Sequence, residues 1–430
     1  MQENGTNLFH ILYHRLLGER PDLGARQFIK HLSWIGISFA LAKVISSLVN
    51  IAAGRMLGPQ EYGKINVLVA AGAAISPFLV AGLGNSVVKY GVIKEDRDRV
   101  FTTAGAVFLG LVLLIVPVTL LFRASLCLFF GIDAKMLFLA LAYAVSTTSF
   151  LMASSMQQAS GSFPGRGWSE IAFSALLAAG FFLGVHFLGR VYQAMAYAYI
   201  AAFGGLALFW LLRIGRATTF SLLNKEQFLR MSEYGIYSFG GGLASFFIFN
   251  VQGLILNACR SPREVGIYAA YYTATFGIAG YLGYAVNTVL FPKASASTNR
   301  RRLWELAAKG WAYLAPASVL LFMAAEAAVL SLMGKHQYGM DARLMFLFAL
   351  CSTLLLAQSS LSQIMVSGGL KASRLALLLS WGAGTLNFTS CLLLIPRWGI
   401  AGAALAFILT YSLILLWMWR ARDSYLEPEN

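Results

Sequence analysis

The chain has 430 residues, of which 58% are hydrophobic and 12% charged, and it carries a formal net charge of +15. A soluble chain of this length carries about 25% charged residues, and soluble cores stop growing near this size, so lipid must cover the excess apolar surface. The Lys and Arg residues fall in short clusters between apolar runs and form no continuous basic stripe, which argues for membrane loops and against a nucleic-acid partner.

Residues 1–31 are polar and are followed by a long apolar run without a small-residue cleavage pattern, so they are read as an N-terminal segment and not as a cleaved leader. Leu8, Phe9, Ile11, Leu12, Leu16 and Leu17 fit one face of a short helix lying on the membrane surface, or a frayed tail. A spanning helix needs roughly 20 apolar residues. The first six candidates cover 32–54, 65–91, 100–122, 136–158, 169–189 and 192–212.

The first span holds the deepest charge. Lys43 lies 11 residues beyond Leu32, which is roughly 16 Å along a helix. Ser47, Asn50 and Gly54 follow at spacings of four, three and four, so the four positions share one face and form a polar stripe. A charge at the bilayer centre costs about 3 kcal/mol on insertion scales, which marks Lys43 as a candidate contact for an anion. The alternative is a lysine packed between helices. Arg55 closes the span and either guides an anion or snorkels to the interface. Lys89, ending the second span, either receives an incoming anion or anchors the helix.

Residues 213–232 form a basic linker, with Arg213, Arg216, Lys225 and Arg230. Six more spans follow, at 233–258, 265–291, 306–332, 343–366, 373–395 and 399–419, and then a tail at 420–430. The seventh span carries the neutral polar residues Asn250 and Gln252. These suit hydrogen bonds to sugar hydroxyls or bonds between helices. Tyr272 lies within a tyrosine cluster on the eighth span, suited to stacking on sugar rings or to an interfacial belt. Glu326 in the ninth span is read as the sole carboxylate well inside a span. It is a candidate for ion coupling, or for a structural pair with Lys335 or Arg343. None of the six aspartates falls inside a span.

An even number of spans places both termini on one side. Loops on that side hold 20 Lys and Arg against 10 on the other, so the termini are expected to be cytoplasmic. The expected fold is all-α and polytopic, with about twelve transmembrane helices. The four cysteines form no CxxC pair, and no HExxH, phosphate-binding glycine loop or GxSxG is present. No metal, cofactor or catalytic group is therefore expected.

The two halves repeat. Gly58-Pro59-Gln60-Glu61-Tyr62-Gly63 after the first span matches Ser261-Pro262-Arg263-Glu264-Val265-Gly266 after the seventh, 203 residues later. Ser160-Gly161 matches Ser367-Gly368, and Arg190 matches Arg397, both at an offset of 207. Each half enters from the same side, so the repeat is parallel, six helices plus six. Transporters so built place a substrate site between halves that rock.

Gly54-Arg55-Met56-Leu57-Gly58-Pro59-Gln60-Glu61-Tyr62-Gly63 resembles the signature of the polysaccharide-biosynthesis and O-antigen flippase branch of the multidrug/oligosaccharidyl-lipid/polysaccharide (MOP) exporter superfamily. Glu264-Val265-Gly266-Ile267-Tyr268, Leu290-Phe291-Pro292-Lys293 and the run from Leu394 to Ala404 are similar to further segments of that family. The resemblance implies two pseudo-symmetric six-helix bundles around a central cavity. It also implies translocation of polyprenyl-diphosphate-linked saccharides across the cytoplasmic membrane of a prokaryote, beside glycosyltransferases and a polysaccharide polymerase. Gln252 stands where the family commonly carries an Asp, which puts a coupling role of that carboxylate in doubt. Two other functions are weighed. A drug or cation antiporter of the same superfamily would want acidic cavity residues. A membrane polymerase or ligase would want a large catalytic loop, and the stretch around 123–135 is too short for one.

Overall fold

The computed structural model describes residues 23–219, 225–295, 299–367 and 370–426, and the surface-helix segment at residues 8–17 lies outside them. Every regular element among the described residues is an α-helix. In the first half these are α1 (Leu23–Val80), α2 (Leu83–Gly91), α3 (Arg97–Leu121), α4 (Arg123–Phe130), α5 (Ala134–Ala159), α6 (Phe163–Leu188) and α7 (Tyr192–Ala217). In the second they are α8 (Lys225–Phe249), α9 (Val251–Cys259), α10 (Pro262–Ser295), α11 (Arg300–Met333), α12 (Lys335–Tyr338), α13 (Ala342–Val366) and α14 (Leu370–Leu426).

Two of these helices are each a pair of crossings joined at a glycine. Helix α1 breaks at Gly58 (φ 74°) and α14 at Gly399 (φ 55°). Positive φ costs an L side chain energy that glycine avoids, and Pro59, just past the first break, suits the opening turn of the returning arm. Asp133 and Asp341 cap α5 and α13, their carboxylates accepting from the backbone N–H of Met136 at 2.7 Å and of Arg343 at 2.8 Å. These aspartates serve helix ends and not the bilayer interior.

Eight helices are long and apolar enough to cross a membrane, and α8 with α9, bent by 44°, makes a ninth. The apolar parts of α1 and α14 run for 45 and 46 residues, enough for two crossings each. With α10, which is 34 residues long, the described residues hold twelve crossings. The protein is a multi-pass membrane protein.

Helix α1 packs on α5 and α6, and α7 packs on both of those, forming the first lobe. In the second lobe α13 packs on α10, α11 and α14, and α14 returns to α8. The lobes meet mainly where α1 lies against α10 and where α2 lies against α8. The end of the molecule that holds Leu23 and the end of α14 is called the terminal end below, and the opposite one the distal end.

Candidate functional site

The repeated motifs build the distal end of the lobe interface. Pro59–Gly63 lies against Pro262–Gly266, backbone to backbone. A Cβ at Gly63 would overlap the carbonyl of Pro262, and one at Gly266 would overlap that of Pro59. The contact is reciprocal, as a two-fold relation between the halves requires. The glutamate of each motif serves its own lobe. Glu61 accepts from the backbone N–H of Tyr192 at 2.9 Å, at the positive end of α7. Glu264 stands at the equivalent break in α14, where a Cβ on Gly399 would come within 2.9 Å of its Oε2.

Helix α12 of the second lobe closes over this seal. The Tyr338 hydroxyl donates to the Gly54 carbonyl at 2.6 Å, and its ring meets Tyr62 edge-on at 6.4 Å. Asn257 donates to the Phe130 and Gly131 carbonyls at 3.1 and 2.9 Å.

At the terminal end α2 meets α8. Ser86 donates to the Met231 carbonyl at 2.9 Å and Asn85 to Ser238 at 2.6 Å. Lys89 lies 4.0 Å from the centre of the Tyr234 ring. Beside these contacts lies a cavity of about 430 Å³, walled by α1, α2, α5 and α8. Ser76, Thr147 and Ser155 face it from the first lobe, and Ser238, Ser245 and Asn250 from the second. None of its lining residues is charged.

The stripe read from the first span divides. Ser47 stands near Tyr281 of α10 in the second lobe, so this face of α1 looks across the interface. Lys43, one turn earlier, is exposed and makes no ion pair or hydrogen bond among the described residues. Asn50 turns into its own lobe, accepting from Tyr199 at 3.4 Å and donating to the Ser46 carbonyl at 2.9 Å. Gly54 is sealed under Met333 and Tyr338. Arg55 is exposed on the same helical face as Ile37, Val44 and Leu48, the exposed apolar side of α1.

The other candidates also separate. Asn250 stands at the N-cap position of α9, at the bend, and lines the cavity. Gln252 is fully buried, donating to the Ile248 carbonyl at 2.6 Å, with its Oε1 unpartnered. Tyr272 stacks on Phe276 at 4.4 Å within the second lobe. Glu326 is fully buried and both its oxygens lack a hydrogen-bond partner. The pairing with Lys335 or Arg343 considered from the sequence does not form.

Glu326 is not the sole carboxylate inside a span. Glu170 lies in α6, 13% exposed, and pairs with Arg166 at 3.0 Å. The i,i+4 spacing of these two was the available signal, but placing the start of the span at residue 169 put Arg166 in a loop. Among the described residues no cluster of His, Cys, Asp and Glu is arranged to hold a metal ion.

A family model described as polysaccharide biosynthesis protein matches residues 28–298. Among solved structures, the chain is similar to the lipid II flippase MurJ in an inward closed conformation, at 14% identity and a TM-score of 0.67, covering 90% of this chain and 87% of that one. It is also similar to an inward-facing multidrug resistance MATE family transporter of the MOP superfamily, at 16% identity and a TM-score of 0.64, covering 93% and 98%. The MATE multidrug transporter DinF-BH aligns at 15% identity and a TM-score of 0.63, covering 94% and 98%. At these identities the structures establish a shared fold of two lobes. The search of curated proteins returned no match.

Proposed function

We propose that this chain, which belongs to the polysaccharide biosynthesis protein family, carries a polyprenyl-diphosphate-linked saccharide across the cytoplasmic membrane of a prokaryote by alternating access. The observation that carries the reading is the chamber between the lobes. Its walls offer hydroxyl and amide groups and no carboxylate, which suits a sugar, and Lys43, outside that lining, stands exposed on the first arm of α1. A cation that meets a diphosphate at reduced dielectric attracts it more strongly than it would in water. The polyprenyl tail stays in lipid while the headgroup crosses.

The remaining assignments belong to this reading. Residues 32–212 and 233–419 act as the two rocking units, joined by 213–232, with both termini cytoplasmic as the loop charge asymmetry implies. Asn250 contacts the saccharide from the cavity wall. Lys89 meets the headgroup at the entrance once its contact with Tyr234 opens. Glu326, buried without a counter-charge, is the candidate for coupling to a proton or cation. Asn50, Gln252 and Tyr272 support the helices around the path, and Arg55 belongs to the exposed apolar side of α1. The chain acts as a carrier and not as an enzyme, and glycosyltransferases and a polymerase supply and consume its cargo. A drug antiporter is the second reading, favoured by the likeness to MATE transporters and opposed by the absence of an acidic group from the cavity lining.

The test is translocation of a polyprenyl-diphosphate-linked saccharide by reconstituted vesicles. Lys43→Ala is expected to lower the rate by about tenfold or more, as loss of a charged hydrogen-bond donor costs about 1.5–3 kcal/mol. Lys43→Arg should retain most of it. Equal transport by Lys43→Ala at equal protein level would show that this residue has no such role. Efflux of cationic dyes by wild-type vesicles without saccharide translocation would establish the antiporter.

A further inference from the structure

We infer that Arg166 and Glu170 form an anion-binding element in which Glu170 holds the place that a diphosphate group takes on loading, an inference that rests on the carrier reading above. Arg166 lies in the first turn of α6 and Glu170 one turn later. Their side chains are 12% and 13% exposed and bridge at 3.0 Å. An ion pair so buried often adds little net stability, because desolvation of both charges offsets their attraction. Its presence inside a membrane lobe calls for another reason.

The geometry around Arg166 supplies one. The guanidinium lies against the rings of Phe39 and Phe150, at 5.3 and 5.7 Å, and its Nη1 donates to Ser154. Aromatic contacts and a hydroxyl thus hold the planar fork in a set direction. Its Nε is buried without an acceptor. In the same α5–α6 corner Gln157 is 1% exposed. Its Oε1 accepts from Ser169, the neighbour of Glu170, while its Nε2 is buried without an acceptor. The corner therefore has more N–H donors than Glu170 satisfies. A diphosphate brings more acceptor oxygens and more charge than a carboxylate, and arginine's fork matches it.

The corner also lies on the side of the first lobe that faces the second. Phe39 precedes Lys43 by one helical turn on α1. Glu170 lies on the side of the first lobe near Tyr281 of the second, as does Ser47. Lys43 and Arg166 thus flank one part of the interface from α1 and α6. With the site empty, Glu170 neutralises Arg166. With a diphosphate bound, the ligand takes Glu170's place on the Arg166 fork and Glu170 is displaced towards Tyr281.

The full-length protein in detergent micelles can be titrated with undecaprenyl diphosphate and, separately, with inorganic pyrophosphate, following bound probe at equilibrium. Wild type should bind the lipid. Arg166→Ala should weaken binding by about tenfold or more and Arg166→Lys by less, since lysine keeps the charge but loses the fork. Glu170→Gln, which removes the competing anion and keeps the shape, should tighten binding severalfold. A purely structural pair predicts equal losses of thermal stability and no opposed effects on affinity. Lipid binding unchanged in both variants overturns the inference and leaves the carrier reading standing. Opposed effects seen with pyrophosphate while the lipid does not bind uphold the anion site and overturn the lipid substrate. If wild type binds neither probe, both fall.

Discussion

The two ends of the lobe interface are built differently. At the distal end the repeated Pro–Gly segments meet carbonyl against glycine, with a tyrosine latched to a backbone oxygen across the top. At the terminal end one close approach, Gly82 to Gly235, is accompanied by side-chain contacts: Asn85 to Ser238, Ser86 to the Met231 carbonyl and Lys89 to Tyr234. Backbone packing is steep, since a fraction of an ångström decides between contact and clash. Polar side chains can exchange partners, with water or a ligand headgroup replacing what is lost. A carrier that receives cargo at the terminal end and releases it at the distal end would need its empty state sealed distally and ready to part terminally.

The sharpest way to break this comparison is to add bulk to the distal seal. Gly63→Val and Gly266→Val should each lower stability by about 3 kcal/mol or more, above the usual 1–3 kcal/mol of overpacking because the opposing atoms are backbone. Thermal unfolding in detergent should show a larger drop for either than for any terminal-end variant named below. Equal, small shifts at both ends would erase the distinction. Tyr338→Phe should have a smaller effect, about 1–3 kcal/mol, by leaving the Gly54 carbonyl without its donor. Its signature is increased labelling of a cysteine placed at the distal seal, with little change at the terminal end. The smallest effect is expected from Tyr234→Leu. Removing the ring under Lys89 costs about 0.5–1 kcal/mol. Terminal-end accessibility should rise, measured by the same labelling, while the melting temperature barely moves.

A second comparison lies inside the lobes. The first lobe holds its carboxylate, Glu170, in an ion pair, and the second holds Glu326 without one. The sequence made Glu326 visible because it sits deep within a long apolar run. Glu170 was hidden by its place near a span boundary, where a pattern of hydrophobicity blurs over a few residues. The signature motif was legible as a motif, but not in its chemistry. Nothing local in Pro59–Gly63 says that its glutamate caps a helix 131 residues on or that its glycine must admit the carbonyl of Pro262. Likewise, Lys43, Ser47, Asn50 and Gly54 share a face by periodicity, yet a face about 60° wide spans two environments. Asn50 bonds to Tyr199 in its own lobe, while Ser47 stands near Tyr281 of the other.

Hydrophobic run length, loop charge and the repeat offset by themselves determined that this chain crosses a membrane about twelve times in two related halves. Each of these depends on neighbours within one or two helical turns or on simple recurrence. Tertiary structure alone decided which polar residues face the chamber, which seal its distal end and which satisfy their own lobe. Those outcomes depend on contacts between residues more than a hundred positions apart. In a bundle where every helix is apolar on most sides, the hydrophobic pattern does not say which neighbour each face will meet.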